Sequence, residues 1–288
     1  MIKKVLEKFA VQPVAMHKVE DSFSSTVYKC ALHTGEHIYV KIAYTKLKYE
    51  RELDAYKLLA GKVPVPQMLD YWSGDSECPG AFLLSELKGK TLTTDVSSEV
   101  AFQVGILHAQ MHAVCPPVGQ ETTSIENEFS NWLNFIESKF LDFAEDVKEI
   151  VETALYEKSM NKFSELKQQL PAPVGPSFIH MDFRPANIIV DGEKVSGVID
   201  FESVRFGSID IDFTKLYRDF LSVNDGFYQA YQDGYRTIKP LLDLKKVLPF
   251  YQFLDAFNSI GWCRRRGIEK NATFLEENLV ILKKIVNE

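Results

Sequence analysis

The chain has 288 residues, 45% hydrophobic and 25% charged, the balance of an ordinary globular protein with room for one large or two medium domains. Its 33 lysines and arginines against 40 aspartates and glutamates leave a formal charge of -7, which argues against nucleic acid or an anionic membrane as partner and suits a neutral or cationic one. No run approaches the ~18 apolar residues of a membrane span. The start, "MIKKVLEKFAVQPVAMHKVED", lacks a secretory signal. Cys30, Cys78, Cys115 and Cys263 are scattered with no CxxC pair, so a reduced, cytoplasmic protein is expected.

The first part of the chain reads as strands. "TVYKCALHTGEHIYVKIA" carries a turn signal at Thr34-Gly35 between two β-prone runs. In the second run Ile38, Val40 and Ile42 share one face, and Tyr39, Lys41 and Ala43 the other. Residues 46–60 read as a helix, broken at Pro64 and Pro66. "AFLLSEL" has the length and continuous apolar character of a buried strand. After Gly89 the texture turns helical: residues 97–114, 127–142, 144–169, 209–235 and 244–286 read mainly as helices. The exception is "NIIVDGEKVSGVID" at 187–200, where Asp191-Gly192 signals a hairpin turn. Two units follow, a small β-rich lobe over residues 1–87 and a larger helical lobe over 88–288.

"IHMDFRPANIIV", residues 179–190, places His180, Asp182, Arg184 and Asn187 just ahead of that hairpin. With the turn at Asp191–Lys194, Val190 faces Val195, Asn187 faces Val198, and Asp200 lies two residues beyond. Asn187 and Asp200 then meet at the open end of the hairpin, as the hard oxygen donors that Mg²⁺ takes. Asp182 lies in the loop before the hairpin. A metal pair with a further carboxylate beside it suits phosphoryl transfer, the metal neutralising phosphate charge and the carboxylate taking a hydroxyl proton. Singly, each of these residues reads as a turn or cap residue; together they read as a site.

"HMDFRPAN" followed by "VIDFE" resembles the H-x-D-x-x-x-x-N loop and metal-binding Asp of kinases. It is closest to the aminoglycoside phosphotransferase and choline kinase family, protein-kinase-like enzymes acting on small molecules. The resemblance implies a two-lobed α+β protein-kinase-like fold, Mg²⁺ with ATP (GTP being the alternative) between the lobes, and a small-molecule hydroxyl as acceptor. Such a kinase needs a strand lysine on the nucleotide phosphates and a helix glutamate to hold it. Lys41 in "YVKIA" is the candidate lysine. Of two glutamates in "YERELDAYKLLA", Glu52 lies in the apolar stripe with Leu53, Tyr56 and Leu59, while Glu50 points away. A buried glutamate needs a cationic partner, which selects Glu52. "EDSFSSTVYK" is similar to the phosphate-covering loop, implying backbone contacts from Ser24, Ser25 and Thr26, although the usual glycines are missing. "FLLSELKGKTL" resembles the strand and hinge that hold the base, with Glu86 and Leu87 at its edge and Leu84 behind it.

This sequence departs from the family at Met181, where many relatives have glycine; a side chain pointing away should matter little. In "GSIDIDF", Asp212 matches a carboxylate that braces the loop, while Ser208 replaces another and leaves local support in doubt. His180 reads as a brace by hydrogen bonding. Arg184 either offsets developing charge or braces Glu202. "HAQMH" puts His108 and His112 at i, i+4, a spacing that can bind zinc, but no third ligand is evident and packing is the better reading. "CRRRG" at 263–267 reads as a solvated helix end. Tyr251, Phe257 and Trp262 are core residues or cleft linings.

The expected reaction is transfer of the γ-phosphoryl group of ATP to a hydroxyl of a small molecule, of which an aminoglycoside-like antibiotic is the first candidate and antibiotic resistance the implied role. Glu202, Asp219, Asp225 and Asp255 would supply a cationic-substrate cleft, or serve only as surface charge. Choline, macrolides, homoserine and sugars stay open as substrates, as does a pseudokinase-like module that binds nucleotide without turnover. A protein kinase is disfavoured by the missing A-P-E element. A monomer or homodimer is compatible with the sequence.

Overall fold

The computed structural model describes residues 1–20, 24–118 and 123–287. After a short helix α1 (Ile2–Lys8) come strands β1 (Ala15–Lys18), β2 (Thr26–Ala31) and β3 (His37–Ile42), helix α2 (Lys46–Leu59), and strands β4 (Met68–Trp72) and β5 (Ala81–Ser85). The strands form one antiparallel sheet in the order β1-β2-β3-β5-β4. The hairpin read at Thr34-Gly35 forms, with Thr26 opposite Ile42 and Ala31 opposite His37. Gly35 sits at φ 83°, where glycine has no Cβ to clash. The alternation in β3 also holds. Ile38, Val40 and Ile42 pack with Val5 of α1 and Phe9 just past its end. Lys41, opposite Phe82 of β5, faces the other way, towards α2.

Helix α2 starts where Thr45 accepts from Lys48 N, and it buries Glu52, Ala55, Tyr56 and Leu59. The proline-broken stretch after it, read as a plain interruption, becomes β4 two residues past Pro66. β4 is an edge strand, where nearby prolines remove no ladder bond. Helix α1 and strand β1 carry too little periodicity to be read from the sequence.

The larger part holds β6 (Lys90–Thr91), helices α3 (Ser98–His112), α4 (Trp132–Lys148) and α5 (Thr153–Gln169), strands β7 (Ser177–Ile179), β8 (Ile188–Asp191), β9 (Lys194–Val198) and β10 (Arg205–Gly207), and helices α6 (Phe213–Asp219), α7 (Asp225–Arg236), α8 (Leu244–Arg266) and α9 (Ala272–Asn287). This small sheet-bearing unit above a helical one is the two-lobed kinase-like α+β architecture. The break expected near residue 143 falls instead after Lys148. Arg264 and Arg265 of α8 hold Asp142, Asp146 and Glu149 along and just past α4, which keeps its last turn helical. The arginines of "CRRRG" are thus the solvent-exposed helix end expected, with Arg264 and Arg265 also clamping α8 to α4. The expected helix at 209–235 divides because Asn224 caps a new start, accepting from Gly226 N. That at 244–286 divides at Gly267, φ 100°.

Aromatic side chains fill the helical core: Phe140 stacks on Phe163 at 4.0 Å and meets Phe257 at 4.3 Å. Tyr251 is buried and its hydroxyl accepts from Trp132 Nε1 at 2.8 Å. Tyr251 and Phe257 are thus core, not cleft. Trp262 packs edge-on against Phe274. No helix among the described residues is long and apolar enough to cross a membrane.

Candidate active site

The hairpin β8–β9 carries the site. Val190 stands opposite Val195 as its sequence suggests, but a bulge then shifts the register, so Val198 faces Ile188 instead of Asn187. The bulge residue, Ser196, donates its hydroxyl to Lys88 O. Asn187 consequently lies level with Ile199, whose N–H donates to the Asn187 carbonyl at 3.0 Å, and Asp200 follows directly. The bulge brings the two closer along the chain than a regular ladder does.

Asn187 donates its side-chain amide to Asp182, at 2.9 Å to the carbonyl and 3.1 Å to Oδ2. Those bonds fix the amide orientation and leave its oxygen as a free acceptor. Asp200 accepts from Lys41 Nζ through Oδ1 at 2.7 Å. Among the described residues nothing takes its Oδ2. One amide oxygen and one carboxylate oxygen, adjacent at the end of a hairpin, fit a hard divalent cation. Asp200 holds φ 72°, a left-handed backbone uncommon for a non-glycine residue, and such strain gathers at functional positions.

Lys41 is buried between two carboxylates, with Glu52 Oε1 also at 2.7 Å. Burial alone would discharge the lysine; Asp200 and Glu52 outweigh it and hold the ammonium well above its usual range. Burial pushes the Glu52 carboxyl up to about 7, with Lys41 pulling against it. Glu50 is half-buried and reaches Lys46 rather than Lys41, so the wheel argument selected the right glutamate.

Helix α2 is fastened from outside its own lobe. Arg51 donates through Nε and Nη2 to Glu126, at 3.0 and 2.7 Å, and through Nη1 to the Glu202 carbonyl at 3.0 Å. Asp54 accepts from Ser124 N at 2.7 Å. Glu202, in the segment after Asp200, takes Ser25 Oγ and Lys48 Nζ, both at 2.6 Å. Its oxygens are therefore filled, and Arg184 does not brace it as expected. Ser25 thus ties the phosphate-loop candidate to the segment that follows Asp200. Thr26 opens β2, opposite Ile42, and Ser24 precedes it. The expected loop also includes residues 21–23, which lie outside the described residues.

At the other side of the cleft Leu84 is buried on the Lys41 face of β5, opposite Tyr39. Glu86 and Leu87 follow the strand end, and Glu86 binds Lys29 at 2.6 Å.

Asp182 is surrounded by cations. Lys215 Nζ lies 2.6 Å from its Oδ1 and Arg184 Nε 3.2 Å from its Oδ2. Burial would raise this carboxyl, but Lys215 and Arg184 override it and hold it below the usual aspartate range. The sequence reading missed Lys215. A signal was there: in "DIDFTK", Asp212 and Lys215 are three apart at a helix start, hence on one face.

Asp212 braces the loop as its match implied. Its Oδ1 accepts Met181 N at 2.7 Å and its Oδ2 accepts His180 N. Met181 stands at φ 66°, which explains why glycine suits this position and corrects the view that only side-chain direction counts. His180 is buried, its Nε2 bonded to Ile199 O at 3.0 Å. His112 Nε2 approaches Asp212 Oδ2 at 3.4 Å and His108 Nε2 at 3.8 Å, so a third ligand-type group does exist. The Nδ1 atoms of the two histidines meet Tyr231 and Tyr235 hydroxyls at 2.7 and 2.8 Å. With Asp212 engaged by the loop backbone, this cluster is a buried brace. Ser208 accepts Val174 N at 2.8 Å, supporting the neighbouring turn in place of the missing carboxylate.

The acidic residues proposed for a cationic cleft are mostly neutralised. Asp219 and Asp255 both pair with Arg218, and Glu202 is filled as described. Asp225 is at the exposed start of α7. Beside Arg184 and Arg218 a cavity of about 640 Å³ opens instead towards α9, where Phe274, Glu276, Glu277 and Ile281 line it.

The family model described as the phosphotransferase enzyme family matches residues 17–245. No curated protein matches the sequence. Among solved structures, the chain is similar to the GDP and kanamycin complex of an aminoglycoside phosphotransferase, at 16% identity and a TM-score of 0.77, over 99% of this chain and 97% of that one. It is similar to an amicoumacin kinase bound to AMP-PNP and Ca²⁺, at 16% and 0.71, over 98% and 93%. It is also similar to a macrolide 2'-phosphotransferase from Brachybacterium faecium, at 16% and 0.70, over 98% and 97%. At these identities the likeness carries the fold. The match over residues 17–245 carries the family: the chain belongs to the phosphotransferase enzyme family of aminoglycoside phosphotransferase type, enzymes that phosphorylate a hydroxyl of a small molecule.

Proposed function

We propose that this phosphotransferase moves the γ-phosphoryl group of Mg-ATP to a hydroxyl of an amine-bearing small molecule of the aminoglycoside kind. The observation that carries this reading is the placement of two bonded pairs at the open end of the β8–β9 hairpin, Lys41 with Asp200 at 2.7 Å and Asn187 with Asp182 at 2.9 and 3.1 Å. In it Lys41, held by Glu52, binds the α- and β-phosphates. Asn187 and Asp200 hold Mg²⁺, which neutralises charge on the transferring group. Asp182 orients the acceptor hydroxyl and takes its proton. Leu84 and the backbone of Glu86 and Leu87 hold the base, and Ser24, Ser25 and Thr26 cover the phosphates. His180 braces the loop and Arg184 steadies Asp182. The division between nucleotide and substrate units falls at Leu87/Lys88.

Glu276 and Glu277 support the amine. They face the cavity without an ion-pair partner among the described residues, while the arginines there are matched by Asp182, Asp219 and Asp255. Phe274, Val280 and Ile281 on the same wall favour a second reading, an apolar ring such as a macrolide. Mass spectrometry of a panel of aminoglycosides, macrolides, choline, homoserine and sugars, incubated with Mg-ATP or Mg-GTP, tests both. One phosphate added to an aminoglycoside supports the first reading. Addition only to a macrolide selects the second, and addition only to another compound overturns both. Asp182→Ala should abolish that product while nucleotide still binds.

A further inference from the structure

Two sets of bonds join the lobes. The first is Lys41 of β3 with Glu52 of α2 and Asp200. The second lies beside it. Glu202, two residues after Asp200, accepts from Lys48 of α2 through Oε1 and from Ser25 through Oε2, each at 2.6 Å. Lys48 and Glu52 are four apart on α2, so they share a face. Val27 stands opposite Lys41 in the β2–β3 ladder, and Ser25, two residues earlier, falls on the same side of the sheet. The two sets therefore repeat one pattern: a residue of the sheet side and a residue of α2 meet an acid from the segment after β9.

The second set has a fixed end and a held end. Glu202 and Ser25 are each only 6% exposed. A carboxylate taken that far from water needs its charge matched and its oxygens filled. Lys48 matches the charge. Arg51 donates to the Glu202 carbonyl at 3.0 Å and is itself held by Glu126, which fixes the backbone of the acid. Oε2 is left for a donor, and Ser25, 177 residues away in the chain, fills it. The Ser25 hydroxyl thus gives its proton to Glu202 and has none to offer a phosphate. Its backbone N–H remains, and the pinned side chain governs where that group points.

With the nucleotide lying as proposed above, we infer that Ser25 is a positioning residue for its phosphates and Glu202 the anchor through which it acts. The charge-assisted bond sets the chain at the start of β2 so that the N–H groups of Ser24 and Ser25 face the phosphates, as oriented backbone amides do in other anion sites. It also accounts for the missing glycines. Glycine suits a phosphate loop because no side chain stands between backbone and ligand; a serine side chain drawn aside to Glu202 leaves the same opening. The contact bears on the phosphate end of the nucleotide alone. The base end, at Leu84, Glu86 and Leu87, lies on β5 and just past it, away from this bond.

Titration calorimetry of the full chain with Mg-ATP and with adenosine tests this, with Mg-GTP and guanosine in parallel. In Ser25→Ala, affinity for the triphosphate should fall about tenfold, the worth of one hydrogen bond to a charged group, while affinity for the nucleoside keeps its parent value. Glu202→Gln, which gives up the charge that holds the hydroxyl, should show the same selectivity. The loss in the double variant should fall well short of the product of the two single losses, because both act through one bond. Unchanged triphosphate affinity in both folded single variants overturns the inference. So does an equal loss for nucleoside and triphosphate, which would mean a general loosening of the cleft, and so does a double variant whose loss equals the product. A parent chain that binds neither triphosphate would overturn the nucleotide reading itself, and this inference with it.

Discussion

Lys41 Nζ lies 2.7 Å from Glu52 Oε1, and both side chains are buried. Removing one partner of such a pair leaves the other charged and desolvated, at a cost of about 3–5 kcal/mol. Asp200 remains on Lys41, so Glu52→Ala should lie at the low end, about 3 kcal/mol by urea denaturation. Losing the orientation of a charge-assisted contact should weaken nucleotide binding about tenfold, read by calorimetry. An unchanged affinity would mean that Lys41 does not bind the phosphates.

Asp200→Asn keeps a residue that tolerates the left-handed backbone and removes the charge. Nucleotide affinity in the parent should increase with Mg²⁺, and in the variant that increase should vanish. Titrations with and without Mg²⁺ read this directly. A retained Mg²⁺ effect would place the metal elsewhere.

Met181 at φ 66° supplies a graded test of backbone strain. Met181→Gly should leave turnover intact and change stability by no more than about 1 kcal/mol, because relief of strain offsets glycine's greater unfolded entropy. Met181→Val, β-branched at a positive φ, should cost about 1–3 kcal/mol and lower kcat. Thermal unfolding and steady-state rates check the pair.

Asp210 gives a pH prediction. It is buried with Oδ1 unpartnered, and burial pushes its carboxyl up to about 6. A raised folded value means the protonated form is favoured in the fold. Its contribution is complete below the unfolded value near 3.9 and is lost as pH rises through 6. Asp210→Asn, neutral throughout, should therefore stabilise the protein at pH 7 by on the order of 2 kcal/mol relative to its effect at pH 4. Unfolding curves at the two pH values would show equal effects if the carboxyl is not raised.

Local pattern made the central residues legible. Period-two alternation in β3 put Lys41 on the face away from Ile38, Val40 and Ile42, a helical wheel put Glu52 on the apolar stripe of α2, and Asp191-Gly192 marked the hairpin whose open end gathers Asn187 and Asp200. The unread features depend on pairings that no local period encodes. The bulge at Ser196 reflects what packs around the hairpin: Gly197 lies so close to the Pro64 carbonyl that a Cβ would stand 2.5 Å from it. Lys215 meets Asp182 across 33 residues, and Arg51 meets Glu126 across 75. The arginines of α8 are exposed as read, but their clamping role went unread because their acidic partners sit on a helix more than a hundred residues earlier. Acidic residues near the site looked available for a cation because their own arginine was not yet placed beside them.

Arg51 and Asp54 fasten α2 to Glu126, Ser124 and the backbone of Glu202. A helix that could pivot outward would carry Glu52 away from Lys41 and idle the enzyme until some signal drew it back. Here the pivot is bolted at Arg51, the residue before Glu52, and again at Asp54, two residues after it. The bonds that set Glu52 against Lys41 therefore also join the two lobes.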